Sequence, residues 1–147
     1  MVFFEEILQN RLLWIAVIAW FAAQFIKILF ELWRKRKIRL SLLMSSGGMP
    51  SSHSSFVTAI TTTIGLDQGF DSPIFALSTI ISLVVMYDAS GVRRAAGTQA
   101  KVINELIANL ENSGVKLDKK LKEMLGHTPI EVLAGALLGI LIGVWLA

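Results

Sequence analysis

The chain has no cysteine among its 147 residues, which excludes disulfides, a thiolate metal site and a thiol nucleophile. Histidine is nearly as scarce, with two copies, His53 and His127. Only 17% of residues are charged and the formal net charge is +3, so the placement of charge matters more than its sum. No signal-peptide pattern opens the sequence: Glu5 and Glu6 precede the first apolar run, and no small-residue cleavage site follows it. That run is too long for a signal core and reads as a retained span. What fills the chain instead is apolar. It is 54% hydrophobic with a mean hydropathy of +0.62, high for a soluble domain and ordinary for a small membrane protein.

The expected architecture is an all-α integral membrane helical bundle forming one domain over residues 1–147. About four spans are expected, at 12–33, 54–66, 74–87 and 129–147. At ~1.5 Å per residue the first run can cross a ~30 Å hydrocarbon core. The second is short and rich in threonine, so other helices are expected to shield it. Between the second and third, "DQGFDSP" at 67–73 reads as a turn. Residues 98–126 differ in composition: Val102, Ile103, Leu106, Ile107 and Leu110 recur at helical spacing, and Leu117, Leu121, Met124 and Leu125 do so again after "NSG". This predicts two amphipathic helices that lie on the membrane surface or cover the bundle.

Charge bias gives the orientation. Of the 14 Lys and Arg residues, five lie at 34–39 and seven at 93–122. In a four-span chain both segments fall on one side, which the positive-inside rule makes cytoplasmic. Both termini are then outside the bacterial-type cytoplasmic membrane.

Ionisable residues within spans are costly and need a reason. Lys27 either snorkels to the interface or supplies a cation to an anion pocket. Arg34 lies two helical turns on and shares its face, as nearly do Gln24 and Glu31. Glu31 could also pair with Lys27 at i,i+4. The stretch "GGMPSSHSS" at 47–55 reads as a capped helix start, with Ser51 or Ser52 as N-cap. The functional alternative is an anion held at unpaired N–H groups, with His53 in the first turn. No lysine follows its glycines, so it is not a nucleotide P-loop. In "GHTPIEV", Thr128, Pro129 and Glu131 fit a capping box, while Glu131 also stands four residues after His127 and can orient its ring. Arg93 and Arg94 anchor a helix end or clamp phosphate, with Asp88 a salt-bridge partner. Lys27, Arg34, Ser51, Ser52, His53, Arg93, Arg94, His127 and Glu131 come from all four spans, each toward the cytoplasmic side. Several cations, two helix N-termini and two histidines at one level suit phosphoryl transfer.

"GGMPSSHSS", "VMYDASGVRRAAGTQAKVINEL" and "LGHTPIEVLAG" resemble the divergent type-2 phosphatidic acid phosphatase family, over nearly the whole chain. That family is related to the lipid phosphate phosphatases and vanadium-dependent haloperoxidases. The wider superfamily's first motif is K-x-x-x-x-x-x-R-P; Lys27 and Arg34 match its spacing, with Lys35 in place of proline. The second is P-S-G-H, matched by Pro50, Ser51, Ser52 and His53 with serine for glycine. The third is split here: Ser90 with Arg93 or Arg94 resembles its start, and His127 with Glu131 its end.

The resemblance implies that His127 is a nucleophile forming a phosphohistidine, that Glu131 orients it, and that His53 protonates the leaving oxygen. Lys27, Arg34, an arginine of the 93–94 pair, and the backbone at Ser51 and Ser52 would hold the phosphate. No metal or other cofactor would be required. The expected function is hydrolysis of a membrane lipid phosphate at the cytoplasmic leaflet; the rival readings are a lipid-phosphate binding or transport protein that does not cleave, and a structural membrane protein. No nucleic-acid partner is expected. Gly135, Gly139 and Gly143 form a small-x-x-x-small face that either packs inside the bundle or makes a homodimer.

Overall fold

The computed structural model describes residues 2–35, 48–112, 121, 123 and 126–147. Six helices lie among them: α1 (Val2–Gln9), α2 (Arg11–Lys35), α3 (Ser52–Gln68), α4 (Pro73–Ser90), α5 (Val92–Asn112) and α6 (Pro129–Leu146). The described residues contain no strand, and the all-α helical bundle expected from the sequence is observed.

Among the described residues, Arg11–Trp33, Pro73–Asn109 and Pro129–Leu146 are long and apolar enough to cross a membrane. Their flanks carry large apolar side chains outward, such as Phe21 and Phe25 on α2, Leu77 and Ile80 on α4, and Leu137 and Leu141 on α6. In a bilayer these faces meet hydrocarbon rather than water. Helix α3 is different. Its 17 residues reach only about 26 Å, and it is enclosed by α2, α4 and α6. That shielding lets a helix with four threonines and three serines sit inside an apolar bundle. Its hydroxyls are satisfied locally and across helices: Ser55 Oγ donates to the Ala19 carbonyl (3.1 Å), and Thr58 Oγ1 to those of Ser54 (2.8 Å) and Ala136 (3.1 Å).

Small residues set how closely the helices approach. Ala16, Ala19 and Ala23 form a fully buried strip on α2. On α6 the glycine face meets the backbone of α3: Gly135 lies against Ser51, Gly139 against Ser55 and Thr58, and Gly143 against Ala59 and Thr62. Both series step by four residues, so α3 and α6 run parallel with one contact per turn. A Cβ at Gly135 or Gly139 would overlap α3 carbonyl oxygens. Of the two expectations for Gly135, Gly139 and Gly143, packing inside the bundle is what this chain shows. The three glycines are buried within the chain, and α3 occupies the face a second copy would need.

The helix ends follow their caps. Ser51 is the N-cap of α3, accepting from the Ser54 N–H; Ser72 caps α4 ahead of Pro73 at its first turn; Thr128 and Glu131 complete a capping box on α6. One residue, Gly91, separates α4 from α5. The first amphipathic helix therefore starts at Val92 rather than near 98, because the α4 ladder closes at Gly91, whose N–H reaches the Tyr87 carbonyl (2.8 Å). The second amphipathic helix expected in 98–126 lies outside the described residues, except Leu121 and Glu123, which are not helical. Asn104 on α5 bonds both: its amide donates to the Leu121 carbonyl (2.9 Å) and to Glu123 Oε1 (3.0 Å).

At one end of the bundle, Arg11 at the start of α2 forks onto both oxygens of Asp67 near the end of α3 (2.6 Å each). The opposite end gathers Lys27, the start of α3, the end of α4 and the start of α6.

Candidate functional site

Lys27 lies on the inward face of α2 and is 3% exposed, which rules out snorkelling. Its stem lies under Gly48, where a Cβ would stand 3.3 Å from Lys27 Cδ. Gly48 has φ +99°, a backbone region that side-chain-bearing residues avoid. The loop thus seals the lysine stem with the one residue that fits both the conformation and the space. Among the described residues, Lys27 Nζ makes no hydrogen bond.

His127 is held from three directions. Its backbone N–H donates to the Ala89 carbonyl at the end of α4 (3.0 Å). Gly126, just before it, abuts the Arg94 backbone so tightly that a Cβ there would overlap it. Its ring Nδ1 lies 3.2 Å from Glu131 Oε2. The same oxygen accepts the Thr128 N–H (3.0 Å), so Glu131 serves the helix cap and the imidazole together. A carboxylate at Nδ1 selects the Nδ1–H tautomer and leaves a lone pair on Nε2. That Nε2 is buried and has no hydrogen-bond partner among the described residues. The residue is 1% exposed. Burial holds the His127 pKa below its ordinary value, with Lys27 and Arg93 pushing the same way against the upward pull of Glu131.

His53 sits in the first turn of α3, its ring centroid 6.3 Å from that of His127. Its Nδ1 is likewise buried without a partner among the described residues. The charges of Lys27 and Arg93 act on both imidazoles, and that of Glu131 acts on Lys27. Arg93 also bonds Asp88 (Nε to Oδ2, 2.9 Å) and stays 40% exposed, the pairing expected of Asp88.

The other sequence candidates fall as follows. Ser51 and Ser52 are buried. The Ser51 hydroxyl is used in the cap and its N–H bonds the Glu131 carbonyl (2.9 Å), so α3 and α6 begin at one level. The first N–H groups of α3, at Ser52 and His53, have no acceptor within their own helix, as at any helix start. Arg94 is exposed and contributes its backbone at Gly126. Arg34 lies in the last turn of α2, and its side chain is outside the described set. The split third motif is thus joined in space: Ala89 and Arg94 on one side meet His127 and Gly126 on the other. Sequence reasoning missed Ala89 and Gly126, and did not foresee that Gly48 packs on the Lys27 stem; the glycine just before His127 was the available signal for Gly126.

The cluster offers two cations, a helix N-terminus and two imidazoles with open nitrogens, a set suited to an oxyanion with several acceptor oxygens. A family profile described as the Divergent PAP2 family matches residues 8–142. The chain is 44% identical to YuiD, an uncharacterized membrane protein of Bacillus subtilis, over 97% of each chain. No solved structure gives a significant match.

Proposed function

Because the chain belongs to the Divergent PAP2 family, we propose that it is a membrane-embedded phosphatase that hydrolyses a lipid phosphate at the cytoplasmic leaflet through a phosphohistidine. The observation that carries this is that three nitrogens at one end of the bundle, Lys27 Nζ, His53 Nδ1 and His127 Nε2, are buried with no hydrogen-bond partner among the described residues, the two imidazoles lying side by side and both feeling the Lys27 charge. Burying such groups without partners is unfavourable, and one phosphate would satisfy all three.

In the first step the Nε2 lone pair of His127 attacks phosphorus, an N–P bond forms and the P–O ester bond breaks. His53, as imidazolium, gives its proton to the leaving oxygen. A bound dianion favours that protonated form. The His127 ring gains positive charge, which the Glu131 carboxylate stabilises. In the second step neutral His53 takes a proton from water, the hydroxyl attacks phosphorus, and the N–P bond breaks. Both histidines return to their starting states. Lys27, Arg93 and the N-terminus of α3 hold the equatorial oxygens, where fixed charges do most in a dry site.

In sequence, the basic segments at 34–39 and 93–122 follow the spans whose ends supply Lys27 and Ala89 to this site. By the positive-inside rule they support a cytoplasmic site with both termini outside. The test is phosphate release from lipid phosphates in detergent. The parent protein is expected to turn over, with His127→Ala and His53→Ala inactive or nearly so. Equal rates for all three would refute the assignment. Tight phosphate binding without release by the parent would favour a carrier.

A further inference from the structure

We infer that the cleft between α3 and α4 holds the hydrocarbon chain of the molecule whose phosphate lies between His53 and His127. This rests on the phosphate-site reading above. The cleft has a volume of about 330 Å³ and is walled by Phe56, Ile60 and Ile64 on α3 and Ile74, Leu77 and Ile81 on α4. It shares a helix face with the site. His53, Phe56, Val57, Ile60, Thr61 and Ile64 are spaced i, i+3, i+4, i+7, i+8 and i+11, so the cleft continues the face of α3 that carries His53. His53 is the group placed to protonate the leaving oxygen, and in an ester that oxygen carries the chain. A chain departing from it therefore runs down the His53 face, along this cleft. From Phe56 to Ile64 the path is about 12 Å, enough for a medium-length alkyl segment.

The floor explains why the cleft is open yet apolar. Thr61, Ser78 and Ser82 are small, and their polar atoms are spent on one another and on the backbone. Thr61 Oγ1 and Ser82 Oγ lie 2.8 Å apart, one donating to the other, the remaining proton going to the Ser78 carbonyl (3.2 Å from Thr61 Oγ1) or the Val57 carbonyl (3.2 Å from Ser82 Oγ), and Ser78 Oγ donates to the Phe75 carbonyl (2.9 Å). Small side chains make room, and their bonding leaves no unmet polar group facing a ligand. A structural helix contact needs no such space; two larger apolar residues would pack it shut.

The experiment uses the full chain in detergent and two probes: decyl phosphate bearing a diazirine at the end of its chain, and the matching decyl alcohol without phosphate. Photolabelling and peptide mass spectrometry are expected to place the phosphate probe on α3 or α4 near Ile64 and Ile74. Orthovanadate should compete with it, and the alcohol should label there at least about tenfold less. In turnover, Ser78→Phe is expected to raise KM for decyl phosphate about tenfold and leave ethyl phosphate within about twofold. Adducts elsewhere, or equal labelling by the alcohol, overturn the proposal, the latter marking a general lipid contact. Failure of the parent to hydrolyse either ester counts against the phosphatase reading alone, because the labelling still decides the cleft.

Discussion

Glu131→Gln separates the two duties of this carboxylate. Glutamine keeps an amide oxygen for the Thr128 N–H and suits the capping box, so the start of α6 survives. What is lost is the charge facing the His127 ring at 3.2 Å. A charge-assisted hydrogen bond contributes ~1.5–3 kcal/mol and a neutral one ~0.5–1.5, so the ground-state loss is about 1 kcal/mol. As the ring becomes a phosphorylated cation, the missing partner matters more. A unit pair at ~4 Å with an effective dielectric of ~20 is worth about 4 kcal/mol. At ~1.36 kcal/mol per decade, kcat should fall between about fivefold and about a thousandfold. The pH profile carries a second signature. Glu131 raises the His127 pKa against the lowering by burial; without the charge, His127 loses its proton more readily. The acid limb of kcat/KM should move to lower pH even as kcat drops. The assay is phosphate release across pH, with thermal unfolding as control. An unchanged kcat, or an acid limb moving to higher pH, would refute the reasoning.

Four further outcomes are expected. Lys27→Met keeps the buried stem beneath Gly48 and removes a buried ammonium that makes no hydrogen bond among the described residues, so Tm in detergent should hold or rise while vanadate inhibition weakens at least about tenfold. Gly139→Leu drives a side chain into the α3 backbone and should destabilise the monomer by about 3 kcal/mol or more, read as lost Tm; a change in oligomeric state with Tm intact would restore the homodimer face. Arg93→Gln should impair turnover far more than Arg94→Gln, because the charge of Arg93 acts on both imidazoles and Arg94 is exposed. His127 titrates in the folded chain below its ordinary value of 6.5, so the unfolded chain takes up the proton first. Its contribution to stability is whole above that value and declines as pH falls toward the lowered one; His127→Gln should flatten that decline in acid unfolding curves.

Much of this was legible because the signals were local. The capping box and the i,i+4 relation of His127 to Glu131 are both written in seven residues, and the structure makes them one arrangement through a single oxygen. The helical class followed from hydropathy. What could not be read depended on phase and packing. Adjacent arginines on a helix point about 100° apart, so choosing Arg93 over Arg94 needs to know that α5 begins at Val92. Snorkelling or burial of Lys27 turns on whether Gly48 closes over it, a contact between residues 21 positions apart in sequence. The glycine repeat on α6 announces close approach without naming the partner. The matching step of four through Ser51, Ser55 and Ala59 on α3 names it only once the two helices are known to run parallel.

The most direct test of the account is to trap the intermediate. Brief incubation with a phosphate-labelled lipid phosphate, followed by alkaline quench, should leave an acid-labile, alkali-stable phosphoryl group on His127 in the parent protein and none in His127→Ala. Turnover without that label, or a label that survives His127→Ala, would contradict the central claim.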